Sequence, residues 1–334
     1  MIPRRKLLIA SGAVGVSSVL VAPPVIRAQS ITKVWRVGVL ALRAKPVPGA
    51  SDALAQDALV KRIAELGYRE GSNLQFEWRY ANQNLAALPT LAQELIQAKV
   101  DLIVALSGLS VQAAREATRT IPIVMAGVGD PVTSGYVASL ARPGGNVTGP
   151  TTAAVETSHK LLEFLLAFRP KLATVTVLHD PRASPMYVRQ ISLAAQQSRI
   201  KLLDQSVENR AELDAALKAL QPAKVGALIV VPSPFLQAHS AVIADAAQRA
   251  RALTVFSFRE GVVAGGLISY GEGLDENFRR AADYVVRIIK VAKPADLPVE
   301  LPRVFNLAIN KRTATALGLA IPQELLLRTD DIVE

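Results

Sequence analysis

The feature that most constrains this chain is a regular alternation of short β-branched runs with longer helical stretches. Four early runs are predicted to be strands, at residues 35–40, 74–80, 101–106 and 122–126. Between the first two, residues 51–66 place Leu59, Ile63 and Leu66 on one face of a helix. Strand–helix alternation of this kind predicts right-handed βαβ units and a parallel sheet buried on both faces.

The same pattern then begins a second time. Four further runs are predicted to be strands, at residues 175–178, 201–206, 226–231 and 254–258. Helical stretches lie between or beside them, at residues 184–199, 211–220 and 241–252. Two successive blocks of similar order, with no long Pro/Gly/Ser linker between them, predict two α/β lobes.

The last segments are too few to build a third core. A strand at 267–270, an amphipathic helix at 275–291 and a strand at 305–309 are therefore expected to complete the earlier lobes. We predict chain crossings near 148–152, 266–269 and 301–306. The predicted fold class is α/β, with two doubly wound parallel-sheet lobes joined by a multi-crossing hinge, and several crossings permit a hinge motion. The predicted ranges are 33–149 plus 268–296 for lobe 1, and 150–267 plus 300–334 for lobe 2.

Residues 1–28 have the order of a secretory signal peptide. A basic start at Arg4, Arg5 and Lys6 precedes an apolar run over 7–21, and Ala28 offers a small residue for cleavage. The run is shorter than the ~20 residues of a membrane-spanning helix. The sequence does not decide between general secretory and twin-arginine export. We expect cleavage after Ala28 and a periplasmic protein.

Composition excludes several classes of function. The chain has no cysteine, so it has no disulfide, no thiolate metal site and no residue to carry a lipid at the cleavage site. Cleavage would remove four basic residues and lower the formal net charge from +10 to +6. A charge of this size favours solubility, and no basic run with interleaved aromatics predicts nucleic-acid binding. We expect a protein that is not a lipoprotein and does not bind nucleic acid.

The candidate binding residues follow the predicted strands. Ligands of open parallel sheets sit outside the carboxyl ends of the strands, so two facing sheets would line one cleft. In lobe 1, Ser107, Gly108 and Ser110 open a predicted helix, and hydroxyls with a helix N-terminus suit a carboxylate. The alternative is that Ser110 only caps that helix.

Five further residues are candidates on chemical grounds. Asp130 would receive a ligand ammonium or cap a helix around 134–140, and capping is favoured. Ser184 follows a lobe-2 strand and would face the cleft or cap a helix. Tyr187, Phe235 and Tyr270 are candidates for stacking on a ligand, against the ordinary alternative of core packing.

No catalytic template is present. The glycine-rich nucleotide-binding motifs, the zinc-binding H-E-x-x-H motif and the G-x-S-x-G elbow are all missing. The three histidines, His159, His179 and His239, are isolated in the sequence. We therefore expect no enzyme, no catalytic residue, no metal site and no cofactor.

Several motifs resemble one family along nearly the whole chain, in order. They are E-L-G-Y at 65–68, G-S-N at 71–73, I-P-I-V at 121–124, G-D-P-V at 129–132, S-L-A-R-P-G-G-N-V-T-G at 139–149, F-R-E at 258–260, G-G-L-I-S-Y-G at 265–271, K-P-A-D-L-P-V at 293–299, N-K at 310–311, A-L-G-L at 316–319 and I-P at 321–322. The chain resembles the ABC-transporter substrate-binding proteins related to tryptophan/tyrosine-binding receptors, of periplasmic-binding-protein type I fold.

The resemblance implies a monomeric receptor that delivers a small molecule to an ABC permease in the inner membrane. An amino acid and a small carboxylate, aromatic or not, remain alternatives, because Phe235 stands where a polar residue would better hold an amino group. A sensor for a membrane signalling partner is the alternative function. A transcription regulator of related fold would need a helix-turn-helix where the signal peptide lies.

Overall fold

The computed structural model describes residues 33–47, 51–182, 185–221 and 226–334. The predicted signal peptide and Ser184 lie outside this part of the chain. The strands form two sheets, one for each lobe. The first sheet contains β1 (Trp35–Ala41), β2 (Leu74–Tyr80), β3 (Leu102–Ala105), β4 (Ile123–Met125) and β5 (Val147–Thr148). The second contains β6 (Thr174–His179), β7 (Lys201–Ser206), β8 (Ala227–Val230), β9 (Leu253–Phe256), β10 (Ile268–Gly271), β11 (Asn306–Asn310) and β12 (Asp331–Val333).

The first sheet is parallel throughout, in the order β2-β1-β3-β4-β5. Val37 of β1 lies opposite Phe76 on one side and Leu102 on the other. Every residue of β3 and β4 is buried, as expected for strands covered by helices on both faces. Apolar runs without alternation in the sequence thus correspond to a two-sided core.

The second sheet has the order β12-β11-β10-β9-β8-β6-β7 and contains one antiparallel pair. β10 and β11 run antiparallel, with Ile268 opposite Ile309, while the other pairs are parallel. Two mostly parallel sheets with flanking helices confirm the predicted fold class.

The helices that cover the sheets differ widely in length. They are α1 (Ser51–Glu65), α2 (Leu88–Gln97), α3 (Gly108–Ala117), α4 (Ala154–Phe168), α5 (Pro185–Gln197), α6 (Arg210–Lys218), α7 (Pro234–Ala238), α8 (Ser240–Arg249), α9 (Arg259–Val263), α10 (Leu274–Ile289), α11 (Lys311–Ala316) and α12 (Gln323–Arg328). Among the described residues, we find no helix that is both long and apolar enough to cross a membrane.

The long helix α10 belongs to lobe 1, although the strand before it belongs to lobe 2. Its apolar face, which includes Phe278, Ala281 and Val285, packs in one core with α1 and strands β1–β4. β10 pairs with β9, so the prediction that 268–271 lies in lobe 1 was wrong. That segment is short and apolar, and periodicity does not reveal which neighbour such a strand joins.

Three segments carry the chain between the lobes: 149–153 from β5 to α4, 272–273 from β10 to α10, and 300–305 before β11. The first and third lie side by side, because Pro150 and Glu300 form a parallel bridge and the Thr151 N–H donates to the Glu300 carbonyl at 3.1 Å. The second crossing lies a few residues later than the predicted 266–269. We call these three segments the hinge.

Candidate functional site

A cavity of about 560 Å³ lies between the two lobes. Its walls are the loops that follow β1, β3 and β4 of the first sheet and β6, β8 and β9 of the second. Both sheets therefore turn the carboxyl ends of their strands toward one space, where ligands of open α/β sheets bind. The volume is within the range of small-molecule sites.

The first helical turn of α3 forms part of the lobe-1 wall. The Ser107 Oγ accepts a hydrogen bond from the Ser110 N–H at 3.2 Å, so Ser107 is the N-cap, and the two hydroxyl oxygens lie 2.9 Å apart. The opening N–H groups of a helix have no carbonyl partner within it. In α3 these groups belong to Gly108 and Leu109, and both residues line the cavity. The arrangement suits a carboxylate.

Asp130 lines the same wall, at the end of the loop after β4. Its Oδ1 accepts a hydrogen bond from the Thr133 N–H at 3.1 Å. The predicted helix over 134–140 is absent: those residues form turns, with the N–H groups of Tyr136 and Val137 both donating to the Pro131 carbonyl. Asp130 therefore caps a turn and also presents its carboxylate side chain at the cavity.

Four aromatic side chains line the cavity: Tyr136, Tyr187, Phe258 and Phe278. Burial raises the pKa of both phenols, Tyr136 and Tyr187, above the ordinary value, so their hydroxyls stay protonated. The cavity is therefore an aromatic enclosure with two neutral hydroxyls. Of these four residues, only Tyr187 was predicted from the sequence to contact a ligand.

The predicted site residues are only partly brought together. Ser107, Gly108, Asp130 and Tyr187 line the cavity. Ser110 is fully buried behind Ser107, although its hydroxyl contacts the Ser107 hydroxyl. The other two predicted stacking residues, Phe235 and Tyr270, lie outside the cavity wall.

Phe235 and Tyr270 do not line the cavity in the described part of the chain. Phe235 is 8% exposed and packs in the core beneath α7, with the His239 ring 4.7 Å away. Tyr270 lies between Phe164 at 4.9 Å and Phe305 at 5.8 Å. Both have the core-packing role that was their ordinary alternative, and neither enters our proposed site.

An ion pair occupies the lobe-2 wall after β6. The buried Asp180 carboxylate accepts hydrogen bonds from the Arg182 Nε at 2.6 Å and Nη2 at 2.7 Å. Arg182 also donates to the Glu208 carbonyl at 2.9 Å. The charged side chains lining the cavity are Arg43, Lys45, Arg182, Asp130, Asp180 and Glu260. Among the described residues, three positive and three negative side chains line the cavity, so their formal charges cancel.

The lobes approach each other at two points on the cavity lining. The Gln83 side chain of lobe 1 donates to the Pro234 carbonyl of lobe 2 at 3.4 Å. A Cβ atom placed on Gly129 of lobe 1 would lie 1.9 Å from the Tyr187 hydroxyl oxygen of lobe 2. Such contacts describe a closed arrangement of the two lobes.

The longest family motif, at 139–149, packs beside the hinge and does not form part of the cavity wall. The Asn146 amide donates to the Thr118 and Ile121 carbonyls at 3.2 and 2.9 Å. The Thr148 hydroxyl donates to the Leu297 carbonyl at 2.6 Å. The motif thus joins β5 to the segment before the third crossing and fixes how the chain leaves lobe 1.

Two facing α/β lobes, three crossings and a cavity at the strand ends define a two-lobed ligand-binding protein. The model of the family "ABC transporter substrate binding protein" matches residues 43–333. The chain belongs to that family, and the resemblance found in the motifs is confirmed.

Individual relatives agree with this assignment. The chain is 26% identical over 267 residues to the tyrosine-binding protein of Clostridioides difficile (strain R20291). The aligned region covers 79% of this chain and 76% of that protein. A solved ABC domain from Streptococcus pneumoniae in complex with L-Trp has a TM-score of 0.83 at 23% identity, covering 90% of this chain and all of that chain. These are proteins to which this chain is similar.

A second solved structure shares the fold. The ligand-free, open structure of a substrate-binding protein with adhesive properties from Clostridium difficile has a TM-score of 0.66 at 23% identity, covering 90% of this chain and 99% of that chain.

Proposed function

We propose that this chain captures one small ligand in the interlobe cavity by hinge closure and delivers it to the permease of an ABC importer. The single observation that carries the proposal is the aromatic cavity between the lobes, with the start of α3 and Asp130 on one wall. An aromatic amino acid is the ligand class we favour, and an aromatic carboxylate is the alternative.

The polar groups of lobe 1 suit a zwitterion. The N–H groups at the start of α3, together with the Ser107 hydroxyl, would bind a ligand carboxylate. Asp130 would bind an ammonium group. A formally neutral cavity favours a ligand without net charge, because an uncompensated charge in an enclosed site is costly.

The aromatic walls suit the side chain of such a ligand. Tyr136, Tyr187, Phe258 and Phe278 offer both ring faces and edges, and aromatic pairs gain about 0.5–1.5 kcal/mol beyond area burial. The relatives named for tyrosine and crystallised with L-Trp support this class.

Export is part of the proposal. The signal-peptide pattern of residues 1–28 and the family together favour a periplasmic protein cleaved after Ala28. The closed shape of the loaded protein would be what the permease recognises, because a ligand that binds the closed state better shifts the population toward it.

Calorimetry with L-tyrosine, L-tryptophan and three matched compounds tests the ligand class. L-phenylalanine carries both polar groups, 3-phenylpropanoate lacks the amino group, and phenethylamine lacks the carboxylate. An amino-acid receptor binds L-phenylalanine more tightly than either analogue, whereas a carboxylate receptor binds 3-phenylpropanoate at least as well. Absence of binding by all five compounds would refute the aromatic ligand class.

Relative to Ser107→Asn, the variant Ser107→Asp is expected to bind carboxylate ligands about 100-fold more weakly. Asp and Asn have the same size and both are good N-caps, so the start of α3 is retained in each variant. The difference is one negative charge against the ligand carboxylate, and two like charges at ~4 Å repel by up to about 4 kcal/mol in a partly solvated site. Calorimetry measures the ratio. Equal affinities for the two variants would contradict a carboxylate at this position.

Asp130→Asn is expected to weaken L-phenylalanine binding roughly 10–100-fold, because a hydrogen bond to a charged group contributes about 1.5–3 kcal/mol. The Asn carbonyl oxygen can still accept from the Thr133 N–H, so the turn is retained. Binding of 3-phenylpropanoate, which has no amino group, should not weaken. An equal loss for both compounds would show that Asp130 acts on the turn and not on the ligand.

A further inference from the structure

One guanidinium joins all three segments of the hinge. Arg280 of α10 donates from Nε and Nη2 to the Glu272 carboxylate at 2.8 and 2.9 Å. The second Nη2 hydrogen bond goes to the Thr151 carbonyl at 2.8 Å. Nη1 donates to the Glu300 and Leu301 carbonyls at 3.0 and 3.3 Å. An arginine has five N–H donors, so all five are used, on acceptors from all three crossings.

This network is almost closed to solvent. Glu272 is 3% exposed, and the Arg280 side chain is 15% exposed. Burial raises the pKa of the Glu272 carboxyl, while the charge of Arg280 opposes that rise. Removal of one partner from a buried pair leaves the other charge uncompensated, which makes the pair hard to separate. The Arg280–Glu272 pair is therefore costly to break.

The network also reaches the cavity. The fully buried Asn277 donates from Nδ2 to Glu272 at 2.9 Å, and its Oδ1 accepts from the Gly127 N–H at 2.8 Å. Gly127 lines the cavity and has φ +66°, a left-handed conformation that favours glycine. Beside it, the Val128 carbonyl accepts from the Thr151 hydroxyl at 2.8 Å. The hinge is thus joined to the cavity wall directly by the Thr151–Val128 hydrogen bond, and by two successive hydrogen bonds through Asn277.

We propose that Arg280, Glu272 and Asn277 are positioning residues that hold the three crossings as one pivot and place the Gly127–Asp130 loop for ligand binding. The part concerning ligand affinity rests on the proposed function; the part concerning the pivot does not. Any change of the angle between the lobes must turn segments 149–153, 272–273 and 300–305 about one another. A group that bonds to all three restricts them to a single axis.

Arg280→Lys tests the pivot and keeps the charge. Lysine has three donors on one nitrogen and lacks the planar fork, so it can replace at most three of the five hydrogen bonds that join the crossings. The matched control is Arg279→Lys, the neighbouring residue, whose ion-pair partners Glu65 and Glu276 both belong to lobe 1. The two variants make the same chemical change one residue apart.

The chain has no cysteine, so a spin-label pair can be introduced on the full-length protein without other changes. Ala86→Cys in lobe 1 and Ala215→Cys in lobe 2 are exposed positions. Without ligand, the distance distribution between the labels should be at least twice as broad in Arg280→Lys as in the parent or in Arg279→Lys. Equal widths in the two lysine variants would overturn the pivot.

Affinity for L-tyrosine and L-tryptophan provides the second readout. Arg280→Lys should weaken binding about tenfold, while Arg279→Lys should stay within twofold of the parent. Asn277→Ala, which leaves the Arg280–Glu272 pair in place, should weaken binding severalfold with an unchanged label distance. Unchanged affinity in Asn277→Ala would overturn the link to the cavity. If the parent binds neither amino acid, the proposed ligand fails, and the label distances still decide the pivot.

Discussion

Gly129→Ala is expected to weaken ligand binding about 100-fold or more while each lobe stays folded. The added methyl carbon would lie 1.9 Å from the Tyr187 hydroxyl oxygen and 3.0 Å from Cζ of the same ring. Tyr187 is 6% exposed and packs in the core of lobe 2, so its ring has little room to move. Relief of the overlap requires the lobes to separate, and overpacking of this kind costs typically 1–3 kcal/mol. A cost of 2.7 kcal/mol corresponds to a 100-fold loss of affinity.

The mechanism of that loss can be separated from a general loss of stability. Tyr187→Phe removes the hydroxyl that the methyl would meet first, so the double variant Gly129→Ala/Tyr187→Phe should recover part of the affinity that Gly129→Ala loses. Small-angle X-ray scattering in the presence of ligand should show Gly129→Ala more open than the parent. If Gly129→Ala bound ligand as tightly as the parent, that result would contradict a close contact between Gly129 and Tyr187 in the ligand-bound protein.

The strands and long helices could be predicted because their patterns are strong and local. The buried runs of β3 and β8, and residues 37–41 of β1, have the uninterrupted apolar composition of covered parallel strands, whereas β2 alternates apolar and polar residues. The apolar stripe of α10 is equally clear, and Gly67 adopts φ +95° at the end of α1, as a C-cap glycine does.

Short elements and the partners of each strand could not be predicted from the sequence in the same way. The two-residue strand β5 and the three-residue strand β12 are too short to show any periodicity. Arg259 forms an ion pair with Asp331 of β12, a contact that sequence distance conceals. The placement of 268–271 was wrong for the same reason.

The binding residues were the hardest to predict, because a side chain at a cavity can also belong to a core. Phe278 lies on the apolar face of α10 and is 4% exposed, and it lines the cavity as well. Phe235 looked like a stacking residue, yet it follows the N-cap Ser233 on the short helix α7 and points into the core. The α3 cap was misplaced by three residues, since Ser107 and Ser110 carry the same chemistry.

The most specific sequence motif is a structural one. In R-P-G-G-N-V-T-G, Gly144 has φ +74°, and its N–H donates to the Ala295 carbonyl at 3.4 Å, within another family motif at 293–299. Asn146 and Thr148 bond to backbone carbonyls, and none of the motif's residues lines the cavity. The longest family motif therefore lies at the hinge, and the loops that line the cavity belong to other parts of the sequence.

Gly149→Ala is expected to lower the free energy of unfolding by about 3 kcal/mol or more. Gly149 begins the first crossing with φ +137°, where other residues are strained. A Cβ atom there would lie 2.4 Å from the Met125 carbonyl oxygen and 2.9 Å from the Met125 nitrogen, both backbone atoms of a central strand. The melting temperature should fall by roughly 6–12 °C, at about 2–4 °C per kcal/mol for a chain of this size.

Gly145→Ala is the control within the same motif. Its Cβ would have no atom within 4 Å, and the position is exposed, so the expected change is within about 0.5 kcal/mol. Calorimetric melting of the two variants beside the parent measures the difference. A melting temperature of Gly149→Ala within 1–2 °C of Gly145→Ala would mean that the chain can leave lobe 1 by another backbone path. The hinge would then owe its geometry to Arg280 and the buried carboxylate of Glu272, with no contribution from this glycine.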